Sequence, residues 1–490
     1  MHRKQRLIKA VATVIAFSKA TAKWVVLTLL SPWRLQNIKE LLIEVIALLE
    51  DAIARQADPT LSLVRSAYQA IANNNLTEAE SLYGQAIKLD PMKADTYLVR
   101  AKTLTYLIGN PLAVDQELTS GIKINKIIAE KERLDILNLK ILGNEFAGMG
   151  HLSLLDPLLK LKTLGLIKKN HIMIVSENAV ANFAYLNCWK TYLPIVVTNK
   201  KNYEAIKSLF SPIYEDPSML EAESGFVPLY EAWNLALNSW GDFPPLLELT
   251  PEQKEAGDRV LEEIGFSKGS WFVGLHVREG SKVGYLRSGA DADVLDYLPA
   301  VESIIEKGGW VIRMGKGGKP IKKLPNLWDY ANSEHQSDWL DVYLWASCKF
   351  FIGTSSGPLT VPPTFGKPVL YTNACSLGHS PNLRNSLMIP KLLWSNKTKS
   401  LLKFNEIFDG PYGWTVRPEY DEGQTTLVSN SPAEILAAVD EMINALAHPE
   451  LYTGKTASQE VFDRIREPFR STSQIRIADS FLRMHSVLLN

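Results

Sequence analysis

The sequence predicts an α/β protein: two successive strand-and-helix units preceded by an all-α segment. Three observations carry that expectation. Short apolar runs rich in β-branched and aromatic residues pass directly into polar, glycine-bearing turns, as in WFVGLHVREG, GWVIRMG, KFFIGTSSG and FGKPVLYTN. Stretches of helical period separate those runs, which is the alternation of a parallel sheet with crossover helices. Residues 34 to 142, by contrast, read as helix only.

The chain has 490 residues, with 53 basic and 53 acidic side chains, so no global field draws it to nucleic acid. Charge is nevertheless clustered at the start. Arg3, Lys4, Arg6, Lys9, Lys19, Lys23, Arg34 and Lys39 all precede the first acidic residue, Glu40, and flank the apolar stretches VATVIAF and WVVLTLL. Lys19 and Lys23 keep either stretch short of the roughly 20 apolar residues of a spanning helix. Residues 1–56 are therefore expected to form basic amphipathic helices. They either lie on the anionic cytoplasmic face of a membrane or pack on the protein itself. No small-residue cleavage pattern of a secretory signal follows them. Cys188, Cys348 and Cys375 are far apart in apolar or small-residue contexts, which points to a reducing, cytoplasmic compartment rather than to a disulfide framework or zinc site.

Leu35, Ile38, Leu42, Ile46 and Leu49 share one face of a helix over 34–56. Over 57–140, Ala67, Tyr68, Leu76, Ala79, Tyr83, Ala86 and Pro91 occupy small and large positions at which two helices interlock. Ala67 and Ala79 recur 34 residues later as Ala101 and Ala113. The pattern resembles a tetratricopeptide repeat, with an imperfect second copy after Pro111. Such a segment is expected either to dock a partner protein or the chain's own body, or to be plain helical-hairpin packing with no partner. Lys131 to Leu142 is expected to close the helical region.

Residues 141–250 begin the first α/β unit. Gly148, Gly150 and His151 precede a helical pattern, and HIMIVS and YLPIVVT read as strands separated by the helical NAVANFAYLNCW. The boundary falls near Gly241 to Thr250, where a proline-rich stretch gives way to a helix opened by Pro251. Residues 251–450 form the second unit. Its strands open at Trp271, Trp310 and Phe350 and in FGKPVLYTN, with a further strand expected in LWDYAN and helices in DVLDYLPAVESIIEKGG and SDWLDVYLWASC. Ser431 and Glu434 form a capping-box pattern for the helix that follows, and 451–490 reads as a helical tail.

Because each strand is followed by polar residues in the same sense, those residues should gather along one edge of a parallel sheet, where open α/β folds bind ligands. Arg278, Arg287, Arg313, Lys316 and Lys319 follow strands there, with Gly315, Gly317 and Gly318. Arginines in such places grip a diphosphate, while glycine admits backbone amides. Gly353, Thr354, Ser355, Ser356 and Gly357 would supply hydroxyls and amides from the next strand end. The ligand expected is an anion, nucleotide-linked. There is no GxxxxGK[ST] loop, no GxGxxG fingerprint, no nucleophile elbow and no convincing DxD metal motif. His276 either hydrogen-bonds a phosphate or orients Arg278, or else serves the strand structurally. His151 and Glu279 are the candidate general bases, from loops of the two units that would face one another across a cleft. Asp338 and Asp341 share a helix face and either cap or pair.

LHVREG resembles the HxRxxD-type strand-loop motif of the fucosyltransferase superfamily. The wider segment from RMG through WDYANSEHQSDWLDVYLWASCKFFIGTSSGPLTVPPTFGKPVLYTN resembles a bacterial family of glycosyltransferases of surface polysaccharide, including lipopolysaccharide, synthesis. This likeness spans about Gly274 to Asn373. It implies a GT-B architecture: two facing Rossmann-like domains, with acceptor on the first and nucleotide sugar mainly on the second. It further implies that Arg278 contacts the donor diphosphate with His276 beside it, and that Ser355, Ser356 and Gly357 form the small polar turn facing the donor. Glu279-Gly280 stands where many fucosyltransferases have a second basic residue, which speaks against fucose and guanosine diphosphate. The activity implied is transfer of a sugar from a nucleotide-sugar co-substrate, with no further cofactor, to a saccharide or lipid-linked acceptor. Arg278, Arg313 and the amides near Ser355 would stabilise the leaving diphosphate without a metal, and single displacement would invert the anomeric centre. Two rivals stand beside this: a non-catalytic helical-repeat scaffold with a degenerate sugar-nucleotide domain, and a dinucleotide-dependent epimerase, which the missing GxGxxG disfavours.

Overall fold

The computed structural model describes residues 60–72, 75–92, 97, 100–101, 111–217, 219–222, 225–280, 289–375, 377, 383–410, 424–452, 454–467 and 475–490. The basic stretches of residues 1–56 and Arg287 lie outside the described residues. Among the described residues no helix is long and apolar enough to cross a membrane.

Helices α1 (Leu61–Ala72) and α2 (Leu76–Leu89) pack together through Ala67, Ala70, Ala79 and Tyr83, all buried. The small side chains let the backbones close on the tyrosine ring, and Asn75 caps α2 by accepting the Glu78 amide. These two helices form a packed pair. Most of the second copy falls on residues 93–96, 98–99 and 102–110, outside the described residues. Its Ala101 packs with Leu118 of α3 (Pro111–Lys131) and with Met219 of the following unit.

Residues 131–142 depart from expectation. Helix α3 ends at Lys131, and Leu139–Leu142 is strand β1. Tertiary pairing decides this: β1 lies parallel to β2 (Asn170–Ser176), and Lys140 projects to the Glu215 and Glu221 carboxylates at 3.6 and 3.1 Å while Ile141 and Leu142 enter the core. Helices α4 (Met149–Leu152) and α5 (Leu155–Thr163) connect β1 to β2. After α6 (Phe183–Cys188), strand β3 (Ile195–Thr198) completes a three-stranded parallel sheet in the order β1-β2-β3. Helix α7 (Lys200–Phe210), the hairpin of β4 (Met219–Ala222) and β5 (Gly225–Pro228), and α8 (Leu229–Trp240) finish this unit. Helix α9 (Pro251–Glu263) opens the second, with a Thr250–Gln253 capping box and proline in its first turn.

The second sheet is wholly parallel, with seven strands in the order β15 (Arg476–Ile477), β11 (Leu387–Pro390), β10 (Val369–Ala374), β9 (Phe350–Gly353), β6 (Phe272–His276), β7 (Trp310–Arg313) and β8 (Leu327–Trp328). Its centre is β6 (Phe272–His276), followed by α10 (Leu298–Glu306), β7 (Trp310–Arg313) and the two-residue edge strand β8 (Leu327–Trp328), so LWDYAN contributes less strand than expected. The chain then crosses back through α11 (Asp338–Ser347) to β9 (Phe350–Gly353) on the other side of β6, and on to β10 (Val369–Ala374) and β11 (Leu387–Pro390). Gly274 is needed in β6 because a Cβ there would lie 2.6 Å from the Phe351 ring on β9.

A small antiparallel sheet of β12 (Leu392–Ser395), β13 (Ser400–Leu401) and β14 (Thr425–Val428) follows, with α12 (Phe404–Asp409). Helix α13 (Pro432–Ala447) carries the expected Ser431–Glu434 capping box. The closing segment holds α14 (Ala457–Arg466) and α15 (Asp479–Met484), as its helical pattern suggested, and also β15 (Arg476–Ile477), which pairs with β11 and extends the main sheet.

The two units share one continuous apolar core. Tyr185 of α6 is fully buried at their junction, its hydroxyl 3.0 Å from Ser153 Oγ and 3.2 Å from Thr364 Oγ1, and its ring packs near Trp189, Trp345 and Phe365. Close by, Asp338 at the start of α11 accepts the Phe183 amide at 2.7 Å, and Asn182 donates to the Asp338 carbonyl and to Asp341 Oδ2. Asp338 and Asp341 thus join the units rather than pair on an open surface. Burial and the neighbouring Asp338 push the Asp341 carboxyl up to about 6, against the opposing hydrogen bonds of Tyr330 and Asn182.

Candidate functional site

The order of the main sheet reverses between β6 and β9: from β6 the chain winds outward to β7 and β8, and from β9 outward to β10 and β11. Loops leaving the carboxyl ends of β6 and β9 must therefore diverge to opposite faces, opening a crevice between them. His276 and Gly353 are register partners at that point.

The predicted residues of the two loops meet there. Arg278 donates its amide to Thr354 Oγ1 at 3.0 Å, and Thr354 donates its own amide to the His276 carbonyl. Ser356 Oγ lies 3.0 Å from His276 Nδ1. These bonds stitch the strand ends together and hold the loops in fixed register. Burial, then the positive charges of Arg278 and Arg313, press the His276 imidazole down to about 4, so it is neutral at physiological pH. It can hydrogen-bond a ligand but brings no charge. Gly315 sits against this ring: its φ of +128° favours glycine, and a Cβ there would lie 3.2 Å from His276 Cδ2.

Arg278 brings a positive charge to the crevice. Its Nε donates to Asp291 Oδ1 at 3.0 Å, which orients the guanidinium, and its carbonyl accepts the Ala292 amide. The Asp291 carbonyl in turn accepts from Lys391 Nζ at 2.6 Å, a lysine only 4% exposed that follows β11. Burial holds the Lys391 ammonium below its ordinary range. Sequence reasoning missed both residues. Asp291 lies in a stretch of sequence without regular period, and the one signal for Lys391 was a lysine set directly after the apolar LMIP.

Arg313 is placed differently from its neighbour. Its side chain is 3% exposed and spent on protein partners: Nη2 donates to Glu279 Oε2 at 2.6 Å, and Nη1 to Asp329 and to the Lys319 carbonyl. Glu279 is thereby bound to a buried cation, and its Oε1 is buried without a hydrogen-bond partner. Lys319 pairs with Asp293 at the surface. Ser355 points its hydroxyl toward Tyr371, at 2.5 Å, and toward the Cys375 amide rather than into the crevice.

His151 arrives from the other unit. Its helix α4 packs against the Gly357–Thr360 turn, with Thr360 Oγ1 3.4 Å from the Gly150 carbonyl. The two glycines permit this approach: a Cβ on Gly150 would lie 2.9 Å from Gly357 Cα. His151 Nδ1 is 2.6 Å from the Glu145 carbonyl, which can only accept, so Nδ1 carries the proton and Nε2 the basic lone pair. Among the described residues no group of three His, Cys, Asp or Glu is arranged to hold a metal ion.

No protein-family model and no curated protein matches the sequence. Solved structures with some likeness include the ADP-heptose lipopolysaccharide heptosyltransferase II of E. coli, at 13% identity and TM-score 0.37 over 64% of this chain and 99% of that one. A glycosyl transferase family 9 protein of Veillonella parvula matches at 12% identity and TM-score 0.36, over 51% and 85% of the two chains. The UDP-GlcNAc 2-epimerase of Neisseria meningitidis, bound to UDP-GlcNAc, matches at 11% and 0.27, over 72% and 99%. Likeness this slight assigns neither a ligand nor a reaction to this chain.

Proposed function

We propose that the protein is a GT-B-type glycosyltransferase that moves a sugar from a nucleoside-diphosphate donor to a saccharide or lipid-linked acceptor in bacterial surface polysaccharide synthesis. One observation carries the reading: a half-buried, oriented arginine, Arg278, and the Thr354–Gly357 turn converge at the switch point of a parallel sheet, and a histidine-bearing helix of a second parallel unit abuts that turn. The likeness of LHVREG to the fucosyltransferase-type motif supports the role of Arg278 and leaves the sugar open.

In this reading the acceptor hydroxyl attacks the anomeric carbon as the bond to the diphosphate oxygen breaks, and the configuration inverts. The hydroxyl proton passes to His151 Nε2, whose ring the Glu145 carbonyl orients. The departing diphosphate gains negative charge, which Arg278 and the amides of Ser355 to Gly357 stabilise more in the transition state than before it. Neutral His276 hydrogen-bonds at the same site. Arg313, sunk between Glu279 and Asp329, supports the β6 and β7 loops, and Glu279 serves that pair rather than the acceptor. No metal is required.

The test is a turnover screen over nucleotide sugars, with and without divalent cations, for wild type and for Arg278→Ala. Donor hydrolysis or transfer should fall about a hundredfold or more in the variant, as for loss of a group that stabilises a leaving anion. Near-normal activity in a folded variant sinks the assignment. If wild type binds but consumes no nucleotide sugar, the scaffold reading takes its place.

A further inference from the structure

Lys391 carries a positive charge into the protein beside the crevice. It follows β11 directly, at the same edge of the sheet as Arg278 and the Thr354–Gly357 turn, and its amide donates to the Ala374 carbonyl at the end of β10. The residue is almost wholly buried. Its ammonium donates to the Asp291 carbonyl at 2.6 Å and to Ser429 Oγ at 3.2 Å. A neutral donor would satisfy both oxygens, whereas a buried ammonium is costly unless opposite charge compensates it.

The lysine bears on both walls of the crevice. Through Asp291 it reaches the β6 loop: it holds that residue's carbonyl, while the carboxylate of the same residue takes Arg278 Nε at 3.0 Å. The backbone point that aims the arginine is thus tied to Lys391. Through Cys375 it reaches the β9 turn: the thiol lies close enough to act on the lysine's charge, and it donates to Ser355 Oγ at 3.1 Å. Burial holds the ammonium below its ordinary range, with Cys375 and Asp291 opposing. Two cations, Arg278 and Lys391, face the one Asp291 carboxylate, so these three groups together are positive. An anion bound in the crevice offsets that charge, and does so strongly where little water intervenes.

We propose that Lys391 is a positioning residue for the diphosphate: it fixes the Asp291 backbone that aims Arg278, and its buried charge tightens the hold of the crevice on the anion. This rests on the reading of the crevice as a nucleoside-diphosphate site. A diphosphate gains more from that charge than a monophosphate does, because it brings more negative charge to the strand ends.

Full-length wild type, Lys391→Gln, Ser429→Ala and Arg278→Ala are titrated by calorimetry with ADP, GDP and UDP and with the matching monophosphates AMP, GMP and UMP. Lys391→Gln keeps a donor for the Asp291 carbonyl and removes the charge. It should weaken the diphosphate that wild type binds best about tenfold, a loss of about 1.4 kcal/mol, and the matching monophosphate by less, so that the ratio of the two affinities falls. Ser429→Ala, at an exposed position, takes one anchor from the ammonium and should weaken the diphosphate by a smaller factor. A lysine that merely braces the loop would weaken both ligands alike. Equal losses therefore overturn the proposal, as does unchanged diphosphate affinity in folded Lys391→Gln. Should Lys391→Gln fail to fold, unchanged affinity in Ser429→Ala overturns it instead. Diphosphate binding lost in Arg278→Ala but intact in Lys391→Gln strikes this proposal alone, and a wild type that binds no diphosphate strikes the crevice reading with it. A wild type that binds diphosphates but consumes no nucleotide sugar strikes the catalytic reading and leaves the role of Lys391 standing.

Discussion

Gly150 of the first unit and Gly357 of the second meet backbone to backbone: a Cβ placed on Gly357 would lie 2.7 Å from the Gly150 nitrogen. Both were singled out in the sequence as turn glycines, but their joint reason is this contact. It brings the helix of His151 against the turn that follows β9.

Gly150→Ala should therefore act at the junction. The methyl group has backbone, not a yielding side chain, in its path, so the units must shift apart. A loss of about 1–3 kcal/mol in chemical denaturation is expected, as for overpacking elsewhere. Turnover should fall by more than donor affinity, because His151 moves while Arg278 does not. Unchanged stability and unchanged kcat together would show that the units do not meet as described.

Arg313→Ala should cost more than Arg278→Ala in stability. It strands the Glu279 carboxylate, 10% exposed, beside an emptied guanidinium site. Breaking a buried pair on one side typically costs about 3–5 kcal/mol. The double variant Arg313→Met with Glu279→Gln should recover much of that loss, since Glu279, the more buried of the two carboxylates that Arg313 pairs with, no longer carries a charge. Denaturation midpoints of wild type, Arg313→Met, Glu279→Gln and the double variant give the coupling. Additive losses would mean that the pair is not formed.

The pH dependence of His276 has a definite sign. Its folded pKa, about 4, lies below the usual 6.5, so between these values the unfolded chain binds more protons than the native one. Its contribution to stability is complete above about pH 6.5 and is lost as pH falls toward 4. Asp341, raised to about 6, contributes in the opposite sense over the window between its ordinary value near 3.8 and 6. The test is thus a difference: urea unfolding of wild type and His276→Gln from pH 4 to 7.5. The wild-type curve should climb more steeply with pH than that of the variant. Parallel curves would refute a depressed imidazole.

Much of the fold was legible because its signals are local. An apolar run followed by a polar turn marks a buried parallel strand wherever it occurs, and Ser431 and Glu434 marked a helix start three residues apart. Strand β1 was hidden because four residues, LKIL, carry no more strand than helix signal; pairing with β2 and the Glu215 and Glu221 partners of Lys140 decided it. β15 was hidden for the same reason, being two residues long and stabilised by β11.

By itself the sequence determined the parallel α/β class and placed His276, Arg278 and Gly353 to Gly357 at strand ends, since period and chain direction fix which residues follow a strand. Only the tertiary structure decided what each side chain does there. Arg278 and Arg313 follow neighbouring strands and look alike in sequence. Yet one is oriented by Asp291 in the crevice, and the other is buried between Glu279 and Asp329. The partners of Arg313 lie 34 and 16 residues away along the chain, and those of Gly150 more than 200. Such pairings depend on how packed elements meet, because charge and hydrogen bonding act through space with no regard to chain order.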